Sequence, residues 1–178
     1  AIAFHQQLDD VNLRINLPSP SRLQQRVNRD GQRTTGLELL GALTTAHQTY
    51  LADLTLQDAR IFDPTQPSGR RQVEYQPRVR GSVTAVTPLA VGWRGTAAAN
   101  LFGSQFCLNP DASAYSRLPT TGRADVMVDR SFVARAGAAL LRSVRVLVAV
   151  DNVTDALNWD QCGLPQPGRV FRVGIEVH

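Results

Sequence analysis

RVLVAVDNVTDALNWDQCGLPQPGRVFRVGIEV, residues 145–177, is the stretch whose reading decides the fold. At its start Val144, Val146, Val148 and Val150 share one face, and Ser143, Arg145, Leu147, Ala149 and Asp151 share the other. At its end Phe171, Val173, Ile175 and Val177 oppose Val170, Arg172, Gly174, Glu176 and His178. A period of two is that of a β-strand with chemically distinct faces. Between the two runs lies a connection rich in Asn, Asp, Gly and Pro, the residues of turns.

The same pattern extends backwards. Over Thr120–Phe132, Ala124, Val126, Val128 and Phe132 alternate with Arg123, Asp125, Met127, Asp129 and Ser131. Eight strands are expected along the chain: Ala1–Asn16, Leu23–Leu43, Gln48–Phe62, Tyr75–Thr87, Val91–Phe106, Thr120–Phe132, Arg142–Thr154 and Gly168–His178. The first, third, fifth and seventh connections are turn-rich (LPSPS, DPTQPSGRRQVE, CLNPDASAYSRL and DALNWDQCGLPQ), whereas the second and fourth are short. The sixth, from Ala134 to Leu141, reads equally as a helical turn. In an up-and-down sheet alternate connections lie at one end, so long loops gather at one rim and short turns at the other, as in outer-membrane barrels.

Composition sets the outer bounds. The 178 residues are 43% hydrophobic and allow one ordinary domain, and 13 Gly with 10 Pro fall short of a low-complexity chain. No run approaches the length of a membrane-spanning helix, which leaves barrel strands open. The chain opens AIAFHQQLDD, without Met or a signal-peptide pattern, and reads as a piece of something longer. All 19 basic residues are Arg; they neither cluster nor interleave with aromatics, so nucleic acid is not an expected partner. His5, His47, His178, Cys107 and Cys162 show no zinc spacing, so no metal or cofactor is expected. No nucleophile elbow, phosphate loop or dinucleotide fingerprint is present, and no catalytic residue is expected.

Alternation alone fits a soluble β-sandwich as well as a barrel. Strand length favours the barrel, because segments of about 13–20 residues exceed globular strands and suit tilted strands that project beyond a bilayer. Arg29, Arg33 and Arg130 then fall on the lipid face. They are placed at its margins, Arg130 at the short-turn rim and the other two above the bilayer, where an arginine costs little. In the first strand the apolar phase slips between Phe4 and Val11, which suggests a bulge or bend.

With these residues laid out, a resemblance emerges. Val150-Asp151-Asn152-Val153-Thr154-Asp155 followed by Pro167-Gly168-Arg169-Val170-Phe171-Arg172-Val173-Gly174 resembles the V-x-N-L-x-D and P-G-R-x-F-x-x-G elements that end TonB-dependent outer-membrane receptors. Upstream, FHQQLDDVNLRI (4–15), RVNRDGQRTTGLELL (26–40) and QPRVRGSV (from Gln76) are similar to earlier strands of that family, in order. The chain departs from the family in ending Val177-His178 rather than in an aromatic residue.

The resemblance implies an all-β fold, an antiparallel up-and-down transmembrane β-barrel segment of about eight long strands. Residues 1–178 would be the last part of a 22-stranded plugged barrel, without the plug and earlier strands. It further implies a non-enzymatic receptor in the outer membrane of a Gram-negative bacterium. Its partners would be outer-membrane lipid, the TonB complex acting through the missing plug, and a small-molecule ligand such as a metal chelate. A ferric siderophore leads the ligand classes. Eight strands alone would leave two sheet edges open and transport nothing. Two other readings compete: a self-contained eight-stranded barrel with a structural or adhesive role, which requires the first strand to pair with the last, and a soluble sandwich binding module, which requires the apolar faces inside.

Two features remain. Cys107 and Cys162 fall in the fifth and seventh connections, at the same rim, and a lone pair facing an oxidising exterior is expected to be bridged, the alternative being two free thiols. Trp93 opens the fifth strand beside a short turn and is either an interfacial girdle residue or an ordinary sheet-packing one. Trp159, in the last long loop, is read as loop packing or a ligand contact.

Overall fold

The computed structural model describes residues 1–17, 24–62, 70–108, 115–133 and 143–177. Its strands are β1 (Ile2–Asn16), β2 (Gln24–Thr44), β3 (Thr49–Phe62), β4 (Arg70–Gln72), β5 (Val79–Pro88), β6 (Trp93–Phe102), β7 (Gln105–Leu108), β8 (Tyr115–Leu118), β9 (Thr121–Val133), β10 (Ser143–Asp151), β11 (Trp159–Gln161), β12 (Leu164–Pro165) and β13 (Val170–Val177). Eight of them form one meander, β1-β2-β3-β5-β6-β9-β10-β13, each antiparallel to the next. β4 pairs with β3, and the hairpins β7-β8 and β11-β12 stand apart in the long connections. The eight main strands match the eight read from alternation.

Four of them are shorter than the 13–20 residues expected. β5 and β6 have 10 residues each, β10 has 9 and β13 has 8. Each departure has a local cause. β6 stops where Gly103 donates its N–H to the Val79 carbonyl at 2.7 Å, an approach so close that a Cβ would lie 2.9 Å from that oxygen. The residues beyond it, which the alternation reading assigns to the same strand, form β7. β10 stops at Asn152, whose φ of 51° leaves the β region. Tyr75, expected to open a strand, lies in a turn at φ 57°, and the strand begins at Val79. The phase slip in β1 coincides with Asp10 at φ 54°; the pairing with β2 keeps one register on both sides of it, so the chain kinks there without a bulge.

Cross-strand register fixes two faces. One carries Leu43, Leu39 and Leu37 of β2, Leu54 and Leu56 of β3, Val83 of β5, Leu101 of β6, Val126 and Val128 of β9, Val148 of β10 and Phe171, Val173 and Ile175 of β13. All but Leu37 and Leu54, which are half-buried, are exposed: Val173 is 76% exposed, Phe171 73% and Val148 48%. Among the described residues the buried apolar ones are few and small or peripheral: Ala59, Ile61, Cys107, Leu118 and Ala149. A soluble sandwich would bury this face, so that reading is overturned. The closed eight-stranded barrel fails too. β1 and β13 lie at opposite ends of the strand order, and no pairing among the described residues joins them.

The apolar face has a defined height. On β5 it runs from Val79 to Thr87 and on β6 from Trp93 to Leu101, nine residues each, the length of a tilted strand across a hydrocarbon core. Above it the same face turns ionic, where Asp58 meets the Arg60 guanidinium at 3.1 Å and that of Arg78 at 3.4 Å, with Arg33 opposite Arg60 in the register. At its lower margin lie Trp93 and Arg130, directly opposite one another on β6 and β9. Arg33 and Arg130 thus stand at the margins of the band; the Arg29 side chain lies outside the described residues. The short connections, Thr45–Gln48 and Leu89–Gly92, lie at the Trp93 end and the long ones at the other, while the sixth connection, 134–142, is outside the described residues.

Candidate functional site

The second face is polar, and ion pairs lace its strands together. Asp129 of β9, 2% exposed, accepts from Arg94 Nε at 3.1 Å and Nη2 at 2.9 Å, and from Arg145 Nε at 3.1 Å. Arg145 also reaches Glu176 Oε2 at 3.0 Å, so one network spans β6, β9, β10 and β13. Nearer the long loops, Asp151 accepts from Arg172 Nη2 at 2.7 Å, and Asp125 from Arg123 Nε at 2.7 Å. A further contact joins Ser82 to Asp53. Charged groups in such numbers on one face need water or a polar filling beside them.

At the long-loop end of this face lies a cleft of about 460 Å³, lined by Tyr75, Arg80, Asn100, Phe102, Arg123, Asn158 and Trp159 among others. Its floor comes from strand residues of inward parity: Arg80 of β5, Asn100 and Phe102 of β6 and Arg123 of β9. Its wall comes from the last long connection, and one residue sets that wall in place. Asn152, 1% exposed, donates its backbone N–H to Asp125 Oδ1 at 2.8 Å. Its side chain donates to the Ala156 carbonyl at 2.9 Å and accepts from the Ala156 N–H at 3.0 Å. Asparagine suits this role because its short amide tolerates the left-handed backbone and bonds locally. The Val153 N–H then donates to the Ala124 carbonyl at 2.7 Å, and Asp155 Oδ1 accepts from the Arg169 N–H at 2.8 Å. Gly168 leaves room for this bond, since a Cβ would sit 2.6 Å from Asp155 Oδ1 and push the carboxylate aside. The motif residues Asn152, Asp155 and Gly168 are therefore architectural: they tie the loop's two ends so that Asn158 and Trp159 face the cleft.

The structure brings Cys107 and Cys162 together as a disulfide, with Cα atoms 6.0 Å apart. It joins the β7-β8 hairpin to the β11-β12 connection, linking the two loops that overhang the cleft. Asn158 is 6% exposed, and its Oδ1, buried in the cleft wall, has no hydrogen-bond partner among the described residues. Trp159 lines the same cleft rather than only packing the loop. Trp93 is half-buried at the opposite rim, 5.9 Å from the Arg130 guanidinium carbon. No group of three or more His, Cys, Asp or Glu suited to a metal exists among the described residues. Arg80, Phe102 and Arg123 escaped the sequence reading although strand parity places each on the inward face; Tyr75 and Asn158, in connections, carried no signal.

Searches against protein-family models and curated proteins returned no match. Solved structures do match. The FrpB iron transporter from Neisseria meningitidis (F3-3 variant) aligns over 97% of this chain and 28% of its own, with a TM-score of 0.66 and 15% identity. FpvAI in its complex with pyocin S2 aligns over 97% and 24%, with a TM-score of 0.66 and 14% identity. P. aeruginosa FpvA, in a structure with heterologous pyoverdines, gives the same coverage, score and identity. The fold of this chain is therefore that of a stretch of those proteins, and the chain spans about a quarter of their length.

Proposed function

We propose that this chain is part of the barrel wall of a TonB-dependent outer-membrane receptor, with the remaining strands and the plug supplied elsewhere in the same polypeptide. The observation that carries the reading is the sheet itself. It is a single meander, open at both edges, with a membrane-height apolar band on one face and an ion-paired wall on the other, superposable on an iron transporter over nearly its whole length. The sequence motifs point independently to the same family, and both support a place in the outer membrane of a Gram-negative bacterium.

The work of such a wall is capture and passage, not covalent chemistry. Its ligand would enter between the disulfide-linked loops and meet the cleft, where Arg80 and Arg123 supply cationic donors and Tyr75, Phe102 and Trp159 supply ring faces. Guanidinium forks and aromatic faces match an anionic metal chelate with planar donor groups, such as a ferric siderophore. Energy from the TonB complex would act through the plug.

The test is ligand binding by the full-length protein in detergent, read from tryptophan quenching with a panel of ferric siderophores. One of them is expected to bind, and Arg80→Ala and Trp159→Ala each to weaken it about tenfold, the loss of one charge-assisted hydrogen bond or one ring contact. Binding unchanged in both variants would remove the cleft from the account. Upstream DNA that lacks an open frame encoding a plug would overturn the receptor reading altogether.

A further inference from the structure

The cleft leaves the opposite rim unexplained, and there the outer face holds a charge in an apolar setting. Arg130 stands at the lower margin of the apolar band, between Trp93 on β6 and Val146 on β10 in the register. Its guanidinium carbon lies 4.8 Å from the Phe132 ring centroid and 5.9 Å from that of Trp93. No ion pair to Arg130 exists among the described residues, in contrast to Arg94 one position across the sheet, which is held by Asp129. In the adjoining turn Leu89 and Val91 are exposed, at 44% and 75%. The nearby turn keeps its approach open: Gly92, at φ 76°, places no side chain where a Cβ would sit 4.0 Å from Arg130 Nε.

The rim's sequence carries one sign of charge. The second, fourth and sixth connections, residues 45–48, 89–92 and 134–142, contain His47, Arg135 and Arg142 and neither Asp nor Glu in sequence. The long connections, by contrast, contain Asp63, Glu74, Asp111, Asp155 and Asp160.

We propose that Arg130, with Trp93 and Phe132, forms a binding site for the phosphate headgroup of an anionic phospholipid in the leaflet at the short-turn rim. The aromatic rings take the faces of the guanidinium and leave its in-plane N–H groups to donate, and that planar fork matches two phosphate oxygens. Position selects a lipid over a free anion. The site lies at headgroup depth, where the apolar band ends, and the exposed Leu89 and Val91 would meet acyl chains beside the phosphate. The described connections of this rim, residues 45–48 and 89–92, bring no competing carboxylate. The inference rests on the reading of the sheet as a membrane barrel, not on the ligand of the cleft.

The experiment is native mass spectrometry of the full-length protein released from nanodiscs of mixed phosphatidylglycerol and phosphatidylcholine. Heat-modifiable gel mobility serves as a separate check that the barrel is folded and inserted. The wild-type protein is expected to retain phosphatidylglycerol in preference to phosphatidylcholine. Arg130→Gln should lower that retention about tenfold, the cost of one charge-assisted contact, and Arg33→Gln at the opposite rim should leave it unchanged. If Arg130→Gln fails to fold, Arg130→Lys serves instead. It keeps the charge but loses the fork, and is expected to retain less anionic lipid than wild type. Equal retention of the two lipids by the wild type, or wild-type retention by a folded Arg130 variant, would overturn the proposal. Displacement of the lipid by inorganic phosphate would overturn it in favour of a free-anion site. A protein that never inserts would count against the membrane reading instead.

Discussion

Asn152 offers the sharpest test of how this chain holds its loop. Replacing it with Ala removes two well-formed hydrogen bonds to Ala156, at 2.9 and 3.0 Å, from a residue that is 1% exposed. At about 1 kcal/mol net for each, this costs about 2 kcal/mol. Alanine must also adopt φ near 51°, which adds about 1 kcal/mol. Asn152→Gly loses the same bonds without the backbone term, so about 3 and about 2 kcal/mol are expected for the two variants.

Hydrogen exchange on the full-length protein reads these numbers locally. The Val153 N–H, bonded to the Ala124 carbonyl, and the Arg169 N–H, bonded to Asp155, report the opening of the loop base. Their exchange should quicken about 150-fold in Asn152→Ala and about 30-fold in Asn152→Gly, one decade for each 1.4 kcal/mol. Amides of the β2-β3 ladder, far along the sheet, should stay unchanged. Ala and Gly variants that exchange alike would show that the left-handed backbone carries no cost. If both lie within about threefold of wild type, the side-chain bonds do not hold the loop.

Gly168→Ala should strain the same knot from its other side: its Cβ would displace Asp155 Oδ1 from the Arg169 N–H, and about 1 kcal/mol of loop stability, read from the same two amides, is the expected loss. Asp129→Ala removes the shared acceptor of Arg94 and Arg145. Because Arg94 is half exposed and Glu176 keeps Arg145 paired, about 2–3 kcal/mol is expected rather than the full cost of breaking a buried pair, measured as a shift in the denaturant midpoint of the detergent-folded protein. Breaking the Cys107–Cys162 bridge, which closes 55 residues, should destabilise the chain by about 4 kcal/mol in the chain-entropy model and open both loops to protease while the strands resist; identical digestion of oxidised and reduced protein would deny the bridge this role.

The strands were legible because a sheet with two unlike environments writes its parity into every second residue. Val144–Val150 and Phe171–Val177 show this without any structure. Strand ends were harder to read. They depend on single backbone events, the left-handed Asn152 and the close approach of Gly103 to Val79, that leave no periodic trace. The cleft was harder still, and for a physical reason. Arg80, Phe102 and Arg123 come from three strands and are gathered by register, whereas Asn158 and Trp159 come from a loop whose course is set by the Asn152 knot, at no regular spacing from the other three. Parity says that an arginine faces inward, but not that it lies beside a tryptophan from another connection. Yet the same parity decides what the inward face can be. A wall that pairs Asp129 with two arginines and Asp151 with another is too polar to pack against a hydrocarbon core, and too far from its other edge to close on itself. Such a face is stable only beside water or a polar partner, while its reverse is stable only against lipid. The proposed membrane reading puts the sheet at a boundary between the two, and on that reading the place where the polar side widens under tethered loops is where a solute would be held.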